Sequence, residues 1–333
     1  MKAKEMRIAT LTLIAMFVVI MAVVPVAMGQ ENDFSTEKEY GELFLKNMDE
    51  SKKLINPISL NNMNGDLEAV SFSLMNGGYI IINVNDLSVP EFSLERNTPF
   101  NDRNKKYVYN GPLAYMEDKQ GTLFRMGMGN TADEAVTPEY VYAIASADKD
   151  KKLADLKTSS IGASVRSIGS GSLDYSLKTW EDGNIFCGPI AAGITLIYFD
   201  DHHDDDFVDS SNENQDDLLN LIINGGYIPN QGTGTSTVMN GLNDYLEDRN
   251  LANYYSAESQ YSFSFSELKS LINSDKPVIV DTDNHPTYGE HWIIAHGYVE
   301  LINEKYIVVN NGWGRNDVYV YVDGYIDDMV YIV

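Results

Sequence analysis

Cys187 is the only cysteine among 333 residues and the side chain best suited to nucleophilic chemistry. It stands in Asn184-Ile185-Phe186-Cys187-Gly188-Pro189-Ile190-Ala191-Ala192, where a loop should turn into an apolar helix. Pro189 suits a first helical turn, because the N–H it lacks would have no helical partner there. Ala191, Ala192, Ile194, Leu196 and Ile197 continue the apolar run. A thiol at such a helix start gains thiolate character from the unpaired N–H groups and the positive dipole end. The same N–H groups can bind the oxyanion of a tetrahedral intermediate. Taken alone, Cys187 would serve equally well as a small buried hydrophobe.

Two downstream segments offer partners. In Glu290-His291-Trp292-Ile293-Ile294-Ala295-His296-Gly297-Tyr298, two histidines compete for the role of base. Strand alternation puts His291, Ile293, Ala295 and Gly297 on one face, and Trp292, Ile294, His296 and Tyr298 on the other. His291 is favoured because it opens the strand beside the Tyr288-Gly289-Glu290 loop, and functional side chains concentrate at element ends. His296 then reads as a core or surface histidine. In Tyr306-Ile307-Val308-Val309-Asn310-Asn311-Gly312-Trp313-Gly314, one asparagine should orient the imidazole by accepting from its far N–H. Trp313 would shield that bond, and Gly312 and Gly314 supply the turn. The residues alone leave Asn310 and Asn311 both open.

These side chains need a scaffold, and the chain divides into recognisable parts. Lys2, Lys4 and Arg7 precede an apolar run over Ile8–Val24, and Ala27-Met28-Gly29 offers small residues for cleavage before Gln30. Residues 1–29 therefore read as a secretory signal. The rival reading is an uncleaved anchor, since the run approaches spanning length. A lone thiol in a secreted chain is no internal disulfide and needs another explanation. The formal charge of −25 argues against nucleic acid and anionic membranes as partners. It fits an acidic, solvated surface.

Residues 30–157 read as one unit. Tyr40, Leu43, Phe44, Met48 and Leu54 suggest an amphipathic helix within Phe34–Leu60. Two strands follow, joined at Met75-Asn76-Gly77-Gly78, a strong hairpin signal. A second helix is expected over Pro138–Ala147. Residues 158–173 are rich in Gly and Ser and read as a flexible, cleavable linker. Residues 174–333 begin with helices near 188–199, 215–224, 236–249 and 266–273. Strands follow at Pro277–Asp281, His291–Leu301, Lys305–Asn310, Val318–Val322 and Met329–Val333. A helical half followed by an antiparallel half is an α+β pattern, and a cleft between them would bring Cys187 toward His291.

The order Cys187, His291, Asn311, with His-Trp-Ile-Ile-Ala-His-Gly-Tyr and then Tyr-Ile-Val-Val-Asn-Asn-Gly-Trp-Gly, resembles papain-like cysteine peptidases. The second stretch is also similar to the bacterial streptopain family, in which Asn310 would match the asparagine. The Cys-Gly-Pro-Ile-Ala-Ala stretch resembles the double-glycine leader peptidases. The papain pattern favours Asn311 as third member, with Asn310 the alternative. The resemblance implies a papain-like fold with the Cys helix in the helical half and the His and Asn in the antiparallel half. It also implies that residues 30–157 form an α+β propeptide-like domain. These families usually carry a Gln six residues before the Cys as oxyanion donor. Here that position is Glu181, which would repel an oxyanion when ionised. Asn184 is the substitute donor, at a different spacing. The Cys-to-His separation is shorter than the roughly 130–150 residues of papain and its relatives.

Asp200-Asp201-His202-His203-Asp204-Asp205-Asp206 lacks the spaced ligands and central Gly of a calcium loop and reads as a solvated acidic segment. No cofactor or metal is expected. The expected activity is a secreted, precursor-made cysteine peptidase acting on extracellular protein or peptide, with no membrane contact after signal removal. A cell-wall peptidase or amidase is the alternative enzyme. An inactive binding protein on the same scaffold is the alternative of another class.

Overall fold

The computed structural model describes residues 33–48, 52–113, 115–126, 149, 153–154, 157, 169–182, 184–282, 291–301, 304–322 and 325–333. The expected signal segment, the Pro138–Ala147 helix, residues 158–168 of the linker and the Tyr288–Glu290 loop lie outside them.

Helix α1, Ser35–Asn47, buries Tyr40, Phe44 and Leu45. It stops well short of Leu60, because Leu54–Asn61 is strand β1. Pro57 cannot sit in a helix interior without losing a bond and clashing with the preceding turn. Here the β1 ladder is irregular between Ile55 and Ile58, and that irregularity accommodates the proline. The hairpin of β2 (Leu67–Leu74) and β3 (Tyr79–Asn83) forms as expected, in register Ser73↔Tyr79. Its turn carries Asn76, Gly77 and Gly78 at φ 74°, 99° and 103°. A side chain on Gly78 would also lie 2.5 Å from the carbonyl oxygen of Ser93. Strands β4 (Glu91–Ser93), β5 (Lys106–Tyr109), β6 (Tyr115–Lys119) and β7 (Thr122–Arg125) complete the N-terminal set.

The second half follows the expected order. Helices α2 (Cys187–His202), α3 (Gln215–Asn224), α4 (Thr235–Asp248) and α5 (Phe265–Ile272) precede β10 (Val278–Asp281), β11 (Trp292–Glu300), β12 (Lys305–Asn310), β13 (Val318–Tyr321) and β14 (Met329–Ile332). Helix α2 is buried without a break from Gly188 to Asp200, so it is a central helix rather than an amphipathic surface one. It packs on α3, α4, β10 and β11. Two strands escape the sequence pattern. Strand β9 (Ala257–Gln260) pairs with β14. Strand β8 (Gly169–Ser172) turns the end of the expected linker into a strand against β11. The reason is an open edge: β10 covers only Trp292–Ala295, leaving Gly297–Glu300 unpaired on that side until β8 arrives. Gly171 fits there because a Cβ would lie 2.6 Å from the Tyr298 ring.

The strands join in the order β7-β6-β5-β1-β2-β3-β4-β13-β12-β11-β10-β14-β9, so the architecture is mixed α+β. The seam is β4 on β13, where Phe92 faces Tyr319 and stacks on it at 4.4 Å. Beside it the buried Glu91 carboxylate accepts from Tyr79, Tyr115 and the N–H of Leu113. Burial pushes its pKa up, against those bonds and the nearby Arg315. Arg315 lies over the Tyr115 ring, so the N-terminal strands touch the loop that follows Asn311.

Candidate active site

Cys187 is the first residue of α2. The preceding Phe186 is extended (φ −69°, ψ 158°) and gives no side-chain cap, so it leaves first-turn N–H groups to other acceptors. The thiol is partly buried, and the N–H groups of Trp292, Cys187 and Gly188 favour its thiolate. Burial pushes the thiol above its ordinary range, and the Asp281 carboxylate adds to that push while the N–H donors oppose it. The resting group is therefore a thiol that needs a base.

His291 lies one residue before β11, next to Trp292, whose N–H favours the Cys187 thiolate. Its carbonyl accepts from Thr282 N–H and Oγ1 at 3.0 and 3.2 Å, which fixes the strand start. The imidazole is buried and stacks on Trp313, centroids 3.9 Å apart and 11° from parallel. Its Nε2 lies 3.1 Å from the backbone oxygen of Asn311. A carbonyl only accepts, so Nε2 carries the proton and Nδ1 is the basic nitrogen.

The structure thus brings His291 and Asn311 together, but through the main chain. The expected side-chain contact is replaced because Asn311 Oδ1 accepts from the N–H groups of Trp313 (3.0 Å) and Arg315 (3.2 Å). That amide builds the Gly312–Gly314 turn, whose two glycines sit at φ 71° and 70°. Asn310 is also committed elsewhere, with Nδ2 donating to Lys178 O and Oδ1 accepting from Gly312. His296 is buried, and burial lowers its pKa to about 4, so it is a neutral core histidine. It is also the extra residue of a bulge: Ala295 pairs with Val309 and Gly297 with Val308. Strict face alternation along β11 therefore fails at His296.

Residues 172–326 match the family model described as Peptidase_C39 like family. The match spans Cys187, His291 and Asn311. No curated protein matches the chain.

Within the matched segment, both oxyanion candidates make contacts of their own. Glu181 is exposed and packs against Gly314, where a Cβ would lie 2.6 Å from its Oε2, while its carbonyl accepts from Gln215. Asn184 is exposed, its N–H bonded to Asp182 and its carbonyl to Asn230 Nδ2. Among the described residues, no hydrogen bond joins either side chain to Cys187. The N–H groups of Trp292, Cys187 and Gly188 are the donors that act on the nucleophile.

Sequence reasoning passed over Asp281, Trp292 and the 230–235 loop. Asp281 sits directly across from Trp292 in the β10–β11 ladder and is buried. Trp292 sends its indole N–H to Thr233 O at 2.8 Å. An Asp closing a four-residue apolar strand was the only available signal for the first, and adjacency to His291 for the second. In the acidic 200–206 stretch, Asp200 turns inward, accepts from Val208 N–H at 2.7 Å and is raised by burial to about 6. The neighbouring Asp204 accepts from Asp206 N–H on the surface.

Proposed function

We propose that the chain is a secreted cysteine endopeptidase of papain-like fold, made as a precursor. Cys187 attacks a peptide carbonyl as thiolate, after His291 Nδ1 takes its proton. The carbonyl of Asn311 holds Nε2–H and keeps Nδ1 toward the thiol, under the cover of Trp313. The N–H groups of Cys187 and Gly188 stabilise the oxyanion. Collapse of the tetrahedral intermediate passes the proton from His291 to the leaving amine, and water then releases the acyl group by the same route. Residues 30–157 act as a pro-region, 158–173 contain the processing site, and extracellular protein or peptide is the substrate.

The observation that supports this reading best is the His291 imidazole held at Nε2 by the Asn311 carbonyl and stacked on Trp313. The experiment is intact mass over time for residues 30–333 under reducing conditions, beside Cys187→Ser. Loss of a fragment ending between about 150 and 175 in the wild type alone supports it. The raised Cys187 thiol favours a second reading, an inert binding scaffold. That reading is preferred if both proteins stay whole and Cys187 alkylates no faster than an ordinary thiol.

A further inference from the structure

We propose that Asn230, with the loop from 230 to 235, is a positioning device that sets the spacing between nucleophile and base. This rests on the peptidase reading above.

The loop touches both sides of the site. Toward the nucleophile, Asn230 Oδ1 accepts from Phe186 N–H at 2.8 Å, and its Nδ2 donates to Asn184 O at 3.0 Å. One amide thus grips the segment just before Cys187 at two main-chain points. Only a side chain with donor and acceptor on one planar group does this; Asp lacks the donor and Ala lacks both. Toward the base, Thr233 O accepts the Trp292 indole N–H at 2.8 Å, next to His291. Between these grips, Thr233 lies directly on Gly188, where a Cβ would sit 2.4 Å from its Oγ1. Further on, Thr235 Oγ1 donates to Asp328, whose carbonyl accepts from Asp281 N–H. The start of α2, the start of β11 and the end of β10 are therefore tied to one six-residue loop.

Phe186 is half-exposed and supplies no cap, so nothing in its own side chain fixes the entry to α2. The amide of Asn230 does this from another part of the chain. Misplacing a catalytic group by about 1 Å can lower turnover roughly 100-fold.

The experiment compares wild type, Asn230→Ala, Asn230→Asp and Trp292→Phe, plus the Asn230→Ala/Trp292→Phe double variant. Each is measured for kcat and KM on dye-labelled casein, for the iodoacetamide rate of Cys187 against pH, and for Tm. Asn230 is exposed, so its replacement leaves the fold intact. The expected result is a kcat about 10- to 100-fold lower in both Asn230 variants, with KM within about twofold and Tm within a few degrees. The double variant should lose less than the product of the single losses, because both grips serve one spacing. A kcat within twofold of wild type for Asn230→Ala, or a loss that appears only in Tm and KM, overturns the positioning role and leaves the peptidase reading intact. A wild type that neither cleaves casein nor alkylates faster than its denatured form overturns the peptidase reading itself, and this inference with it.

Discussion

Replacing Gly188 by Ala tests how tightly the 230–235 loop is fitted against the start of α2. In a free helix this change would stabilise by up to about 1 kcal/mol, because glycine is the poorer helix former. Gly188 shows no positive φ, so alanine meets no backbone strain. The new Cβ, however, falls 2.4 Å from Thr233 Oγ1, about 1 Å inside ordinary van der Waals contact. The contact atom belongs to a short β-branched side chain, which cannot fold away as a lysine would. Overpacking of this kind costs about 1–3 kcal/mol, leaving a net loss of about 1 kcal/mol. That corresponds to roughly 2–4 °C in Tm for a large domain. Activity should fall further than stability, by about tenfold or more, because the shift is felt at Cys187 and at the Trp292–Thr233 bond. Thr233→Ala removes the obstructing hydroxyl, which is buried with no hydrogen-bond partner among the described residues and so costs little to lose. The double variant Gly188→Ala/Thr233→Ala should therefore recover most of the Tm and the activity. Calorimetry and casein hydrolysis on the four proteins close the cycle. Additive losses, with no recovery, would refute the contact and the reasoning built on it.

Three further outcomes are expected. Asp281→Asn removes a carboxylate that raises the Cys187 thiol, so iodoacetamide should react faster near pH 7; an unchanged or slower rate argues against that charge acting on the sulfur. Trp313→Ala should lower kcat tenfold or more by stripping the ring stacked on His291, and Trp313→Phe should restore much of it; equal losses in the two would show that the stack is not what matters. The Asp200 carboxyl is about 6 when folded against an ordinary 3.8, so the folded state holds its proton more tightly than the unfolded one. Its contribution is fully present below pH 4 and is lost as pH rises through 6. Asp200→Asn keeps the acceptor for Val208 N–H without titrating, so its Tm advantage should grow from near zero at pH 4 to its full value above pH 7. A gap independent of pH would contradict the burial argument.

The parts of the site legible in the sequence are those governed by local pattern. The apolar run after Cys187 marks a central helix, and the Asn-Gly-Gly turn marks a hairpin. Two Tyr/Val/Ile-rich runs mark β11 and β12, with His291 and Asn311 at their ends. What escaped depends on partners distant in sequence. Gly169–Ser172 has a linker's composition and becomes a strand only because β11 offers it an edge. The helix expected within Phe34–Leu60 ends at Asn47, since Leu54, Ile58 and Leu60 find β2 and β5. Alternation assigned faces along β11 correctly only as far as the bulge at His296, and no residue type there announces a bulge. Motif comparison pointed to Asn311 through its amide, whereas the turn consumes that amide and leaves the carbonyl to face His291. Asn230 and Thr233 act through hydrogen bonds spanning 44 and 59 residues, which no periodicity encodes.

The central claim is that Cys187 and His291 form one nucleophile–base unit. Its most direct test is the iodoacetamide rate of Cys187 from pH 5 to 10, in wild type and in His291→Ala, with mass spectrometry to confirm the single site. The account predicts a wild-type profile with reactivity already present in the neutral range, set by the coupled titration of thiol and imidazole. In His291→Ala that neutral limb should vanish, leaving one late ionisation displaced upward by burial. Superimposable profiles in the two proteins would contradict the account.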